Sequence, residues 1–222
     1  MAVKDLIPLF FGDTAKTYDQ VAYWATFGKD DYWKKEIVDK INNIRSLLEL
    51  ACGTGKLTKI IISKFPNANI VGIDVSESYL DMIDKKSFPN VSFVHQDAEK
   101  LNLDQKFDCI CSSYIPKYCN PEILIKRCVE HLNPSGFMVF HDFVFPKNNF
   151  VKILWKFHFL LLRLLGNAMP SWKYAFLELP KLIQTSNWVD EYTIELEKNG
   201  FDVTQQSLTW NSSVILHARQ NI

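Results

Sequence analysis

The residues best suited to chemistry lie in one short stretch, Leu47-Leu-Glu-Leu-Ala-Cys-Gly-Thr-Gly-Lys-Leu-Thr58. An apolar run passes into Gly53-Thr54-Gly55 and then into a helix-forming segment. Glycines suit such a turn because the backbone must bend sharply and approach a ligand with no Cβ in the way. Nineteen residues beyond Gly55 a second apolar run ends in Asp74, an acid placed to accept both hydroxyls of a ribose. Gln96-Asp97-Ala98-Glu99 follows a third run, where a short acidic loop can bond an adenine amino group. Phe107-Asp108 opens a fourth, whose end, Ser112-Ser113-Tyr114, would face the reactive end of a bound nucleoside. In series and in this order, the four stations specify a nucleoside-binding site.

Three ligands compete for the glycine turn. A P-loop needs Gly five residues before Gly55 and Ser or Thr after Lys56; Leu50 and Leu57 stand there instead. A dinucleotide turn prefers a third glycine where this chain has Thr58, and it needs a hydride-transfer constellation, of which none is evident. S-adenosylmethionine has no pyrophosphate and dispenses with the third glycine. An NAD-dependent oxidoreductase and a non-catalytic cofactor-binding protein stay open as readings of another class. No metal is expected. His95, His131 and His158 have no partner at ligand spacing and read as structural, and Cys109-x-Cys111 is too poor a pattern for zinc.

The elements that must position these residues follow from the hydrophobic rhythm. Short apolar runs at 47–51, 70–74, 91–95, 107–112 and 137–143 alternate with helical stretches at 56–65, 78–85 and 121–132. That alternation predicts a parallel sheet covered on both faces. Two helices, around 15–26 and 30–44, precede it, with Gly28 between them and Asp30 or Asp31 as N-cap. Asn133-Pro134-Ser135-Gly136 predicts a turn before the fifth strand. An apolar helix at 150–165, a helix at 189–198 and an antiparallel pair at 201–208 and 214–218 complete the chain. The expected fold is α/β: a Rossmann-like, doubly wound, seven-stranded and mostly parallel sheet. An N-terminal helical lid (1–45) precedes the nucleoside-binding domain (46–222), and a helical cover (147–187) is inserted before the last two strands.

The 222 residues carry 25 Lys+Arg and 25 Asp+Glu, a formal charge of zero, with 47% hydrophobic residues. This is the composition of a folded globule and argues against a nucleic-acid partner, which would require a basic excess. Five cysteines without framework spacing predict reduced thiols and a cytoplasmic protein. The apolar run 7–11, preceded by Lys4 and Asp5, is too short for a secretory signal.

The chain resembles a class I S-adenosylmethionine-dependent methyltransferase, and more narrowly the ubiquinone/menaquinone biosynthesis C-methyltransferase family. Besides the glycine turn, the likeness is carried by Ala15-x-x-Tyr18-Asp19 with Gly28 and Trp33-Lys34, by Trp172-x-Tyr174 through Phe201, and by Leu208-Thr209 and Leu216-His217. The resemblance implies that Glu49, Gly53, Thr54 and Gly55 hold the methionine part of the cofactor and Asp74 its ribose. Val75, Asp97 and Ala98 would enclose the adenine, Ser113 would border the sulfonium, and Tyr18 would close over it. It also implies methyl transfer to a ring carbon of a prenylated quinone precursor; another lipid or small metabolite, such as a phospholipid amine, is the alternative. The family's Phe-Gly-Leu-Arg-Asn is replaced by Tyr114-Ile115-Pro116-Lys117-Tyr118, and its Glu by Asp142. Lys117 is therefore expected as charge stabiliser, or as base through water, and Asp142 as the polar substrate contact. His141 alternates to the other sheet face.

Between Phe143 and Leu177 stand five basic residues and no acid, leaving a formal −5 on the rest of the chain. Within the apolar segment 150–165, Lys152, Lys156 and Arg163 fall in a stripe of roughly 40° on a helix. About 16 residues are too few to span a bilayer. The first expectation is a cover whose wide apolar face is buried and whose basic stripe is solvated. The second is peripheral contact of 150–165 with an anionic membrane, admitting a lipid-tailed acceptor.

Overall fold

A computed structural model describes residues 6–221; the expectations that rest on Lys4 and Asp5 lie outside the described residues. Seven strands form one sheet: β1 (Ser46–Leu50), β2 (Asn69–Asp74), β3 (Val91–His95), β4 (Phe107–Ser113), β5 (Leu132–Phe143), β6 (Phe201–Leu208) and β7 (Ser213–Gln220). Their order is β3-β2-β1-β4-β5-β7-β6, parallel except for β7, which runs antiparallel to both neighbours. The chain switches direction between β1 and β4, so a crevice opens beyond the carboxyl ends of these two strands. The doubly wound, mostly parallel architecture is the one expected.

Nine helices accompany the sheet among the described residues: α1 (Leu6–Phe11), α2 (Tyr18–Ala25), α3 (Lys29–Asp39), α4 (Lys56–Lys64), α5 (Glu77–Leu80), α6 (Pro121–Glu130), α7 (Asn149–Leu165), α8 (Lys173–Thr185) and α9 (Trp188–Lys198). Alternation along β1 sorts its side chains. Leu48 and Leu50 pack under α6 and α9 with Leu124, Trp188 and Tyr192, whereas Leu47 packs under α3 and α4 with Trp33, Ile37 and Ile61. Glu49 therefore points to the α3/α4 face. A third cluster lies off the sheet, where Phe10 and Val21 of the N-terminal helices meet Leu162, Trp172 and Phe176.

Several local expectations are corrected. Asp30 and Asp31 do not cap α3; left-handed Gly28 occupies that position, and Asp30 is buried in an ion network. The helix expected at 78–85 ends at Leu80, because Ile83 and Phe88 drop back to pack on Cys52 and Leu80. The turn at 133–136 is absorbed into β5 as an irregularity. The register passes from Phe107↔Leu132 to Cys109↔Phe137, with Ser135 left-handed and Asn133 bonded to Asp108. The larger correction concerns α7. Its inner face, with Trp155 and Leu162, is buried as expected of a cover, but its outer face is apolar and exposed from Phe150 to Leu165. Among the described residues, no helix is long and apolar enough to cross a membrane.

Candidate functional site

The glycine turn is fixed from below by Asp74. One carboxylate oxygen accepts the Gly53 amide at 2.8 Å and the other accepts the Ser76 amide at 2.8 Å. This ties the ends of β1 and β2 together and leaves the remaining lone pairs for a ligand. Gly53 and Gly55 both have left-handed backbone (φ 57° and 79°), and so does the non-glycine Ala51 (φ 54°). Tyr114, at the end of β4, has φ 73°, a strained conformation for a bulky residue. Strain of about 1–3 kcal/mol per residue collects where a fold is shaped for a ligand. Here it marks both lips of the switch-point crevice.

Glu49 is buried beside the turn and accepts a 2.5 Å bond from the Thr58 hydroxyl. Thr58 holds the place of a third glycine and has a different task there, orienting this carboxyl. Burial pushes the Glu49 pKa up to about 8. Burial also raises that of Asp74, against the pull of its backbone amide donors.

These groups line a crevice cavity of about 240 Å³. Tyr18, Glu49, Gly53, Thr54 and Asp74 lie on its walls, as do Val75, Asp97, Ala98 and Ser113. Gly55 does not. It serves the turn, donating to the Cys52 carbonyl at 3.0 Å, and an added Cβ there would face Phe88 and Ile83. Asp97 caps the short turn at Ala98–Lys100 by accepting the Glu99 amide at 3.0 Å. Ser113 bonds His141 Nδ1 at 3.0 Å, and His141 Nε2 bonds Ser213 at 2.5 Å. His141 thus lies on the opposite sheet face from Asp142, as alternation requires. His95, His131 and His158 each bond backbone groups, and among the described residues no three His, Cys, Asp or Glu side chains are grouped to hold a metal ion.

The N-terminal helices are fastened over this cavity by contacts that the sequence reading missed. The Thr54 hydroxyl lies 2.9 Å and 3.0 Å from the two carboxylate oxygens of Asp19. Buried Asp30 gathers Lys34, Lys56 at 2.7 Å and the Tyr114 hydroxyl at 2.8 Å, and the two lysines hold its carboxyl at about 2 despite burial. Trp33 donates to Thr209 at 2.7 Å and Trp172 to Thr17 at 2.9 Å. An i, i+4 Asp-Lys pair on a lid helix, followed by a lysine directly after the glycine turn, was the available signal for the Asp30 cluster.

A second cavity of about 790 Å³ lies under α7 and α8, lined mainly by aromatic and aliphatic side chains. Phe11, Tyr18, Tyr114 and Tyr118 line both cavities and so form the wall between them. Tyr18 stacks on Trp172 (5.9 Å, 24°) and meets Tyr79 edge-on, holding its ring in that wall. Lys117 lines the second cavity, with its ammonium 4.5 Å from the Tyr118 ring centre and 5.5 Å from those of Tyr114 and Phe143. Its side chain is only 1% exposed, and its Nζ donates to Asp142 at 2.5 Å and to the Tyr114 carbonyl at 3.0 Å. Asp142 is fully buried, and its carboxylate also accepts the Lys117 and Phe143 amides. The polar substrate contact expected of Asp142 is therefore corrected: both its oxygens are occupied within the protein, and it acts by holding Lys117.

A family model described as "Methyltransferase domain" matches residues 47–136. A malonyl-[acyl-carrier protein] O-methyltransferase of Priestia megaterium is 30% identical over 145 residues; the alignment covers 64% of this chain and 53% of that protein, so the chain spans about half that relative's length. A ubiquinone/menaquinone biosynthesis C-methyltransferase, UbiE, of Campylobacter jejuni is 27% identical over 217 residues, covering 91% of this chain and 92% of that one. In fold, the chain is similar to the plantazolicin methyltransferase BpumL solved with SAH (TM-score 0.67, 13% identity, 99% and 98% covered). The matched stretch, residues 47–136, is a methyltransferase domain: it holds the glycine turn, Asp74, the acidic loop and the end of β4, arranged at the switch point of this sheet.

Proposed function

We propose that the chain transfers a methyl group from S-adenosylmethionine to a ring carbon of a lipid-tailed, prenylated quinone precursor. The observation that carries this reading is the pair of cavities sharing one aromatic wall. The smaller offers acceptors suited to an amino acid joined to a nucleoside, a buried carboxyl at Glu49 and the Asp74 carboxylate, with Val75 and Ala98 for the base. The larger suits an aromatic head with an apolar tail. Similarity to the UbiE relative along most of both chains supports the acceptor class.

When bound, S-adenosylmethionine supplies a methyl group on a sulfonium, already a good electrophile. The protein then has to align the ring carbon with that methyl and raise the ring's electron density. Tyr18, Tyr114 and Tyr118, which line both cavities, would position the ring where the two meet. Lys117, held by Asp142, lines the larger cavity with its ammonium 4.5 Å from the Tyr118 ring centre, and is assigned in this reading as the charge stabiliser there. Ser113 would border the sulfonium and Asp97 the adenine.

Calorimetry with S-adenosylhomocysteine, followed by label transfer to demethylated short-tailed quinols and to lipid amines, tests the reading. Binding is expected, with methylation of the quinols. Asp74→Ala should weaken binding by about 1–3 kcal/mol, leaving ribose hydroxyls and two protein amides without their acceptor. Binding of NAD alone, or methylation of the amines alone, would sink it.

Glu49 makes cofactor binding pH-dependent. With its pKa at about 8 the free protein holds this carboxyl protonated at pH 6–7. An ammonium placed against it favours the carboxylate, so binding expels a proton and affinity rises by up to about tenfold per pH unit toward pH 8. Titrations in buffers of different ionisation enthalpy should register close to one proton released at pH 6.5. No release, or the same release from Glu49→Gln, would remove Glu49 from this role.

A further inference from the structure

Helix α7 has two apolar faces. The inner one, with Trp155, Phe159 and Leu162, lines the larger cavity. The outer one carries Phe150, Ile153, Leu154, Phe157, Leu160, Leu161, Leu164 and Leu165, all exposed. At about 100° per residue these eight occupy an arc of roughly 140°. Lys152, Lys156 and Arg163 run along one edge of that arc. Exposed Lys147 and Lys173 flank the helix, and no acid lies between Phe143 and Leu177. On the other edge His158 meets Phe27, its ring centre 4.9 Å away. Phe27 is 78% exposed and the nearby Trp24 68%, aromatic side chains of the kind that settle at a headgroup boundary.

We infer that α7 lies in the interfacial plane of an anionic bilayer, its outer face among the acyl chains and its basic edge on the headgroups. The charge pattern selects this occupant. A lone apolar stripe would fit any greasy partner, but a basic edge on a body that is otherwise formally −5 fits an anionic surface. A second copy would bring a like-charged stripe to the same contact and no acid to meet it. At 17 residues, about 26 Å, the helix is suited to lying in the surface and not to crossing it. Because one side of α7 meets lipid while the other lines the larger cavity, a tailed molecule reaches that cavity beside the helix without leaving the bilayer. This last step rests on the reading of that cavity as the acceptor site.

The test is co-sedimentation of the full chain with vesicles of phosphatidylcholine alone, or with about 30% phosphatidylglycerol. Binding is expected to the mixed vesicles and to fall steeply in about 0.5 M salt. Lys156→Gln with Arg163→Gln should weaken it by roughly 25-fold, each charge contributing about fivefold near such a surface. Phe157→Ser, Leu161→Ser and Leu164→Ser together should abolish it while leaving the thermal midpoint unchanged, since all three are exposed. Equal binding to both vesicles, no binding, or a dimer in sedimentation velocity that the triple serine variant dissolves would overturn the inference. Methyl transfer to a short-tailed acceptor in lipid-free buffer is read separately. Activity without vesicle binding ends the docking proposal alone, and vesicle binding without any methyl transfer ends the proposed function alone.

Discussion

Lys117→Met lowers the stability of the protein by about 3–5 kcal/mol at pH 7.5, because it leaves the Asp142 carboxylate charged and unpaired in a dry interior. For a chain of this size that is a fall in midpoint of about 6–20 °C. The pair is already under tension: burial pulls the Lys117 pKa down and pushes that of Asp142 up, each against its partner's attraction. The pH dependence follows. A carboxyl whose folded pKa is raised holds more protons folded than unfolded, so stability falls as pH rises through that window. Without the ammonium the Asp142 pKa moves higher still, and the deficit of Lys117→Met should shrink toward pH 5. Adding Asp142→Asn in the same chain removes the stranded charge, keeps an acceptor for a backbone amide, and should return at least about 1 kcal/mol. Urea melts of the three proteins across pH measure all of this; a loss below about 1 kcal/mol in Lys117→Met would mean that the charges do not depend on each other.

Asp30→Asn should cost about 3 kcal/mol, through Lys34, which lies buried with this carboxylate as its ion partner. Lys56 retains Asp31 at 2.5 Å and is affected less. The carboxyl has a folded pKa of about 2 against an ordinary value of 3.8. A lowered acid pKa contributes stability in full above the unfolded value and loses it as pH falls through the folded one. Roughly 2 kcal/mol should therefore disappear from the native protein between pH 4 and pH 2. In Asp30→Asn that part of the acid limb should be missing. Because Asp30 also holds the Tyr114 hydroxyl and Lys56, cofactor affinity should fall with stability. Calorimetry that finds the wild-type affinity in a destabilised variant would confine Asp30 to a structural role.

The sheet and the smaller cavity were legible in the sequence because their signals are local. Apolar runs of five or six residues, a turn that only glycines enter easily, and an acid at a fixed distance are all read within one βαβ unit. The unforeseen parts are long-range or locally contradictory. Asp19 and Thr54 are 35 residues apart, and nothing in either segment announces the other. Helix α8 runs through Pro180, a residue that reads as a stop. At 133–136 the turn chemistry is genuine, yet β5 continues through it because both flanks pair with β4. Asp142 misled for a related reason. Position placed it at the end of the right strand, but whether a carboxylate faces a ligand or a lysine is decided by a residue 25 positions away.

The wall between the two cavities is composite: Phe11 and Tyr18 come from the N-terminal helices, Tyr114 and Tyr118 from the loop after β4. All the proposed cofactor contacts except Tyr18 fall within residues 47–136, whereas most of the larger cavity is built from residues before 34 and after 142. On the proposed function, donor and acceptor recognition fall largely in separate stretches of the chain, joined at four rings and by the bonds of Asp19 to Thr54 and Asp30 to Lys56. On that reading, a change of acceptor falls in the outer stretches, away from the bonds of Asp74 to Gly53 and Ser76, and the fold is a fixed methyl-donor cassette with an exchangeable acceptor mould.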